Sequence, residues 1–479
     1  MTVVQDLEPV QTGDEQMSQR QKAILLVLLA TQFMLAADFS ILNVAVPEIG
    51  SSLHFSLSSL QWIVTAFALT AAGFTLIFGR VGDLLGRKRL FLGGMALLGL
   101  SSLLGGLAQT PTQLIVARVG QGLATAITTP SALALITTSF PEGKLRERAM
   151  GLNGALMSAG FTAGAILGGV LTGLLDWRWA FLINVVVAVA VLVAAPRLLT
   201  ESRSGQRVSI DLPGSLTVCT GLVALVVGIT RAGEHGWTET WVLVLLAAAA
   251  ALLAAFWAIE RVTAEPLLPV RLLARPTISW GNIGGLVTFT MMSSVVFLMT
   301  LYLQDALHYS PLVTGLAFSG LGTAAFFGGL RTARIIGRLG SRTALVLGLV
   351  IQGVSTAALL LIGTAHGPGL TLMIAATTVG GFGHVLSIVS FMVTGTLGVS
   401  DDDQGRATGI TSMTQQVGIT IGIPIISTLA TSRIAAAGHG ESAVAEGVRT
   451  AIAVDAGVVL LAALLIGLFL RKRHLSAAA

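Results

Sequence analysis

The sequence predicts an all-α integral membrane protein with fourteen transmembrane helices, in two pseudo-symmetric six-helix bundles plus a central extra helix pair. Composition, the spacing of apolar runs and a repeated connection predict it. Of 479 residues, 54% are hydrophobic and 11% are charged, and mean hydropathy is +0.85. Soluble domains carry roughly a quarter charged residues. Folded in water, this chain would expose large apolar patches and aggregate. Fourteen helices of about 20 residues take about 280 residues, which leaves room for tails and connections only.

Apolar runs of spanning length lie at about 23–46, 60–78, 90–107, 113–139, 150–175 and 180–195. Two more follow at about 214–230 and 241–259. Another six occupy about 278–303, 311–330, 343–362, 370–397, 407–429 and 451–470. Cationic residues near helix ends are retained on the cytoplasmic side. With both termini cytoplasmic, the outside loops hold only Arg178, Arg231, Arg433 and Arg449, Arg118 lies within a span, and all other Lys and Arg residues fall inside. Removing one crossing from the middle would scramble that asymmetry.

The implied organisation is a cytoplasmic tail over 1–22, a six-helix bundle over 23–198, a linker over 199–213 and a hairpin over 214–259. A second linker over 260–277, a second six-helix bundle over 278–470 and a tail over 471–479 complete it. The tail before the first helix carries Asp6, Glu8, Asp14 and Glu15 and shows no small-residue cleavage site, so the first helix is expected to be its own membrane address.

The net charge of +5 does not point to nucleic acid, because the basic residues sit in short loops between apolar runs. Cys219, the single cysteine, excludes an intrachain disulfide and a multi-cysteine metal site. No metal site and no cofactor are expected. Deep ionisable residues are sparse and scattered, which argues against an enzyme, and no Gly-x-x-x-x-Gly-Lys-Ser/Thr loop is present for ATP-driven transport.

The second-to-third connection of each six-helix block repeats. Phe78-Gly79-Arg80-Val81-Gly82 precedes Asp83, and Ile336-Gly337-Arg338-Leu339-Gly340 precedes Ser341. Basic turns look alike by composition alone, but two related halves are the arrangement of secondary transporters, which bind substrate near the midplane between them. Asp38 lies about 22 Å into the first helix by a rise of 1.5 Å per residue. An ionisable residue at that depth faces a cavity or a partner and is a functional candidate.

Gly79, Asp83, Gly86, Arg87 and Lys88 form a Gly-x-x-x-Asp-x-x-Gly-Arg-Lys pattern that resembles the signature of the major facilitator superfamily. Further residues resemble its fourteen-helix drug:proton antiporter branch: Asp38, Asn43 and Pro47, then Gln61-Trp62 with Thr65, then Arg118, Gln121 and Gly122. Gly160, Gly164, Gly168 and Gly169 in the fifth helix and Asp176-Trp177-Arg178-Trp179 before the sixth complete the set. Ala165 departs from it, since Pro is usual there.

The resemblance implies a proton-coupled antiporter that exports small amphipathic compounds, such as antibiotics, across the bacterial plasma membrane by alternating access. Its energy source would be the proton gradient, and its partners protons, a small-molecule substrate and membrane lipid, with a monomer as the default. A metabolite uniporter or importer of the same fold is the alternative. Asp38 is then a proton carrier, a counter-ion for a cationic drug, or a fixed packing carboxylate. The resembled fold makes the first and fourth helices neighbours, so Arg118 is expected to pair with Asp38 directly or through Gln121; the alternative is that Arg118 snorkels to the interface.

Gly79, Asp83, Gly86, Arg87 and Lys88 are expected to form a cytoplasmic latch, with Arg331, Arg334 or Arg338 as the partner of Asp83 across the halves; the alternative, an orientation-setting basic loop, accounts for Arg87, Lys88 and Arg89 but not for Asp83. The stripe of Gly160, Gly164, Gly168 and Gly169 either seals the path against proton leak or packs helices. Gln415 and Gln416 in the thirteenth helix either line the cavity or bond between helices. His384 in the twelfth helix is either a proton relay or a packing residue. Asp455 is read as structural, near the outer start of the last helix with Arg449 beside it. Met291, Met292, Phe297 and Met299 either line a promiscuous pocket or, by default, pack in the core or against lipid, and Trp177 and Trp179 are expected to sit in an outer interfacial belt.

Overall fold

The computed structural model describes residues 17–56, 59–140, 144–202, 211–263, 266, 270–399, 401–438 and 440–470. The described chain is helical throughout. The first block comprises α1 (Gln19–Leu53), α2 (Trp62–Leu85), α3 (Arg87–Gly106), α4 (Pro111–Ser139), α5 (Lys144–Leu174) and α6 (Trp179–Leu198). Two helices follow, α7 (Leu212–His235) and α8 (Thr240–Val262), then the short α9 (Val270–Leu273). The second block comprises α10 (Pro276–Leu301), α11 (Pro311–Ala317), α12 (Ser319–Leu339), α13 (Ser341–Ala358), α14 (His366–Thr396), α15 (Asp401–Ala437) and α16 (Glu441–Phe469). A single π turn, Tyr302–Ala306, extends α10.

Local chemistry sets the ends. Ser18 caps α1 in a reciprocal box with Gln21, and Thr110 and Ser310 cap helices that open on Pro111 and Pro311, where a missing N–H costs nothing. The Asp211 side chain accepts from the Gly214 N–H at 2.9 Å to open α7. Gly86 and Gly340, at φ 111° and 81°, make the sharp corners between α2 and α3 and between α12 and α13.

Twelve helices among the described residues are long and apolar enough to cross a bilayer, against fourteen expected. At the second and fifth expected crossings, α2 and α5, the apolar stretches are shorter, Trp62–Thr75 and Ala163–Leu174. Both helices pack across the middle of the molecule, α2 on α15 and α5 on α11 and α12. A helix facing protein on two sides needs less lipid-compatible surface.

Packing repeats between the blocks. α1 lies on α5 as α10 lies on α15; α2 and α3 lie on α4 as α12 and α13 lie on α14; α3 lies on α6 as α13 lies on α16. One core gathers Leu28, Phe91, Met95, Leu135, Phe140 and Val191 in the first half. Another gathers Met291, Met292, Met299, Leu349, Phe391 and Ile452 in the second, so these methionines are core residues. Phe297 and Ile423 of the second half join Ile41, Ile49 and Phe181 in a third core across the divide. Through Val218, Cys219 and Leu222, α7 packs on Leu69 of α2 beside Met413 and Val417 of α15, and α8 packs on α7.

Hydrogen bonds between the halves, among the described residues, cluster toward the Leu53 end of α1. Gln304 Nε2 donates to Val44 O at 2.8 Å, Thr420 Oγ1 donates to Ala68 O at 3.0 Å, and Ser427 Oγ bonds Gln61 Oε1.

Candidate functional site

A buried polar cluster of the first half is built on four helices. Asp38 of α1, Ser102 of α3, Arg118 and Gln121 of α4, and Asn184 of α6 are all buried. Arg118 Nη1 donates to Asp38 Oδ2 at 3.2 Å and to Gln121 Oε1 at 2.8 Å. Its Nε donates to Ile63 O at 2.8 Å, and its guanidinium lies 4.4 Å from the centroid of the Phe67 ring. Gln121 Nε2 donates to Asp38 Oδ1 at 3.3 Å and to Ser102 Oγ at 2.9 Å. Asn184 Nδ2 also donates to Asp38 Oδ1.

Arg118 therefore does not snorkel; it is held in the protein at three points. Buried charges at membrane depth need pairing, because desolvating either alone costs several kcal/mol. Pairing leaves one polar atom open on two of the three partners: Arg118 Nη2 and Asn184 Oδ1 have no hydrogen bond. Both amides, Gln121 Nε2 and Asn184 Nδ2, donate to Oδ1 of Asp38, and Arg118 donates to Oδ2.

Close helix approach places these side chains. A Cβ on Gly160 would stand 2.5 Å from Phe33 O, one on Gly168 2.5 Å from Ile41 O, and one on Gly164 would strike Ala37 O. These three glycines seat α5 on α1 beside Asp38. Gly169 faces elsewhere: its Cβ would stand 2.6 Å from Pro311 O and 3.0 Å from Gly315 Cα, on α11 of the other half. The glycine stripe is two surfaces, one within a half and one between halves. α5 continues through Ala165 without an internal proline.

The signature connection is tied within its own half. Glu201 accepts from the Lys88 N–H at 3.0 Å and the Arg89 N–H at 3.2 Å, so a carboxylate sits on the N-terminus of α3, where the helix dipole favours it. The Arg87 N–H donates to Ser202 O at 3.1 Å, and Lys88 Nζ donates to Pro196 O at 2.8 Å at the end of α6. Gly86 supplies the corner and lies against Glu201, while Gly79 faces Pro130 of α4. The side chain of Asp83 lies outside the described ones, and Arg331, Arg334 and Arg338 are exposed.

The remaining candidates lie apart. His384 sits on α14 in the second half, its ring 5.6 Å from that of Phe289 and edge-on to it, with Nδ1 unbonded. Gln415 is half-buried on α15, and the side chain of Gln416 is outside the described ones. Asp455 is not near a helix start but deep in α16 and 0% exposed, and Arg449 is exposed. Trp177 is no belt residue: it is 2% exposed and donates from Nε1 to Ser52 Oγ at 3.1 Å. Trp179, by contrast, is exposed. No group of three or more His, Cys, Asp or Glu suited to a metal ion occurs among the described residues.

Ser102, Asn184, Gln304 and Glu201 were missed by sequence reasoning. Asn184 had a signal, as the one amide in the strongly apolar sixth run. Glu201 had a weaker one, an acid just past the sixth run that could meet the basic turn.

The sequence matches the Major Facilitator Superfamily over residues 28–423, with a second match over 282–478. It is 37% identical to the puromycin resistance protein pur8 of Streptomyces alboniger, covering 94% of this chain and 91% of that protein. It is 35% identical to the cephamycin export protein CmcT of Amycolatopsis lactamdurans, covering 87% of each. Among solved structures, the peptide transporter POT in complex with sulfate superposes with TM-score 0.72 at 13% identity, over 96% of this chain and 99% of that one. The nucleoside transporter NupG does so with TM-score 0.68 at 12% identity, over 94% and 100%. A helical fold whose two blocks repeat the same packing, a multi-pass membrane chain and these matches agree: the chain belongs to the major facilitator superfamily, a family of membrane transporters rather than enzymes.

Proposed function

We propose that this protein is a proton-coupled antiporter that exports small amphipathic compounds, of the antibiotic kind, across the bacterial plasma membrane by alternating access. One observation carries the coupling: a buried carboxylate, Asp38, held by a buried guanidinium and two amide donors at the junction of four helices. Protonating Asp38 weakens its grip on Arg118 and favours a different packing of the half. Relatives named for puromycin resistance and cephamycin export support the direction and the cargo class.

Fourteen crossings follow if α2 and α5 span with the twelve apolar helices, with α7 and α8 as the extra pair. By the positive-inside rule both termini are cytoplasmic and the Leu53 end of α1 faces outward. The inter-half hydrogen bonds near that end then hold an outward gate shut. The working unit is a monomer, its partners are protons, substrate and lipid, and the proton gradient is its only energy source.

The test uses puromycin as probe. Proteoliposomes holding the full chain should accumulate puromycin against its gradient when a pH gradient is imposed, and Asp38→Asn should retain exchange but lose uphill accumulation. A wild-type protein that only equilibrates puromycin would mark a uniporter instead.

A further inference from the structure

We propose that Asp455 is a second proton-binding site, placed in the second half where the first half has Asn184. It rests on the proton-coupled reading above only for its consequence in transport.

Glycine contacts put the two halves in register. Gly86 and Gly340, both at positive φ, precede α3 and α13. Thirteen residues on, a Cβ on Gly99 would lie 3.1 Å from Ala188 Cβ of α6, and a Cβ on Gly353 would fall between Leu460 Cδ2 at 2.7 Å and Val459 Cγ1 at 3.2 Å of α16. Burial fixes the register: the buried positions Asn184, Ala188, Val191 and Ala195 of α6 recur at the same spacing as Asp455, Val459, Ala462 and Ile466 of α16.

The first helices align in the same way. Gly160 meets Phe33 O and Ala36 Cβ of α1, and Gly418 meets Leu286 O and Phe289 Cβ of α10. Asp38 therefore corresponds to Met291. The first half keeps its acid on the first helix and an amide on the sixth; the second half has an apolar residue on the first helix and the acid on the sixth. The carboxyl group changes helix and keeps its place in the bundle.

Asp455 is 0% exposed, and neither carboxyl oxygen has a hydrogen-bond partner among the described residues. Thr356, the counterpart of Ser102, is buried on α13. Of the elements packed against α16, α10 carries no titratable group. On α13 the one such group is Arg342, bonded to Gly467 O, twelve residues beyond Asp455. The π turn holds Asp305, half-buried, and Tyr302, which donates to Gly363 O. On α15, Arg433 pairs with Glu446 at 2.7 Å on the surface; Asp401, Asp402, Asp403 and Arg406 open that helix, with side chains outside the described ones.

An anionic carboxylate buried without donor or cation costs several kcal/mol, and binding a proton removes the charge. The protonated acid is also the near-isostere of an asparagine, the residue that occupies the matching site in the first half. Each half thus holds one carboxyl at one locus, and an alternating cycle takes up a proton at each from one side and releases it to the other, with only O–H bonds made and broken.

The test is infrared difference spectroscopy of the full chain in lipid, titrated from about pH 5 to about pH 9, on wild type, Asp38→Asn and Asp455→Asn. Wild type should show two protonated-carboxyl C=O bands that change with pH, with Asp455→Asn losing one and Asp38→Asn the other. The Asp38 band retained in Asp455→Asn reports that this variant is folded. An Asp455→Asn spectrum identical to wild type, or an Asp455 band that never changes with pH, overturns the proposal. Loss of the Asp455 band alongside an Asp38 band that does not titrate would count against the Asp38 mechanism and leave this site standing.

Discussion

Asn184 and Asp38, 146 residues apart in the chain, are joined by a buried hydrogen bond from α6 to α1. Through it the carboxyl of Asp38 is gripped from α6 as well as from α4, so α1 is bound to two neighbours at one level. Replacing Asn184 with Ala removes a donor and leaves Gln121 and Arg118 in place. The expected loss is about 1–2 kcal/mol, read as a modest drop in the thermal midpoint of the detergent-solubilised protein, with uphill transport weakened and not abolished.

Arg118→Gln should be worse than Asn184→Ala, because it leaves an unpaired buried carboxylate at a cost of about 3–5 kcal/mol. Adding Asp38→Asn removes that stranded charge. The double variant should therefore melt above Arg118→Gln alone, although neither transports uphill. Additive losses in this cycle would mean that the two side chains are not a coupled pair.

Gly164 and Gly169 differ by little in sequence and by much in what they touch. A side chain at Gly164 strikes α1 within its own half, and one at Gly169 strikes the backbone of α11 in the other half at 2.6 Å. Gly164→Val should lower the thermal midpoint. Gly169→Val should instead prop open the Leu53 end. With Cys219→Ser as background and Val44→Cys as reporter, Gly169→Val should raise labelling by a membrane-impermeant thiol reagent severalfold, and Gly164→Val should not.

The cap on α3 sets a graded expectation. Glu201→Ala removes a carboxylate from a helix N-terminus, worth about 0.5–2 kcal/mol. Gly86→Ala asks a residue with a Cβ to hold φ 111° and also crowds Glu201, so it should cost more. Thermal midpoints of the two variants, and of the pair combined, decide whether crowding or backbone strain dominates: relief on combining them points to crowding.

Much of the fold was legible in the sequence because a bilayer imposes a simple rule. Backbone groups in hydrocarbon must bond internally, so long apolar runs are helices, and cationic loops record which side each end occupies. Asp38 and Arg118 stood out for the same reason, as charges where charges are costly. The Gly stripe was legible as a stripe, but its division between α1 and α11 was not, since a helix face does not name what it will meet.

Tertiary structure alone decided the partners. That Asn184 reaches Asp38, that Glu201 caps α3, and that Asp455 takes the place of Asn184 in the second half all depend on helices remote in sequence arriving at one depth. Hydropathy is a property of single segments and is written residue by residue; hydrogen bonding at distances near 3 Å is a property of pairs, and only the packed bundle chooses the pairs.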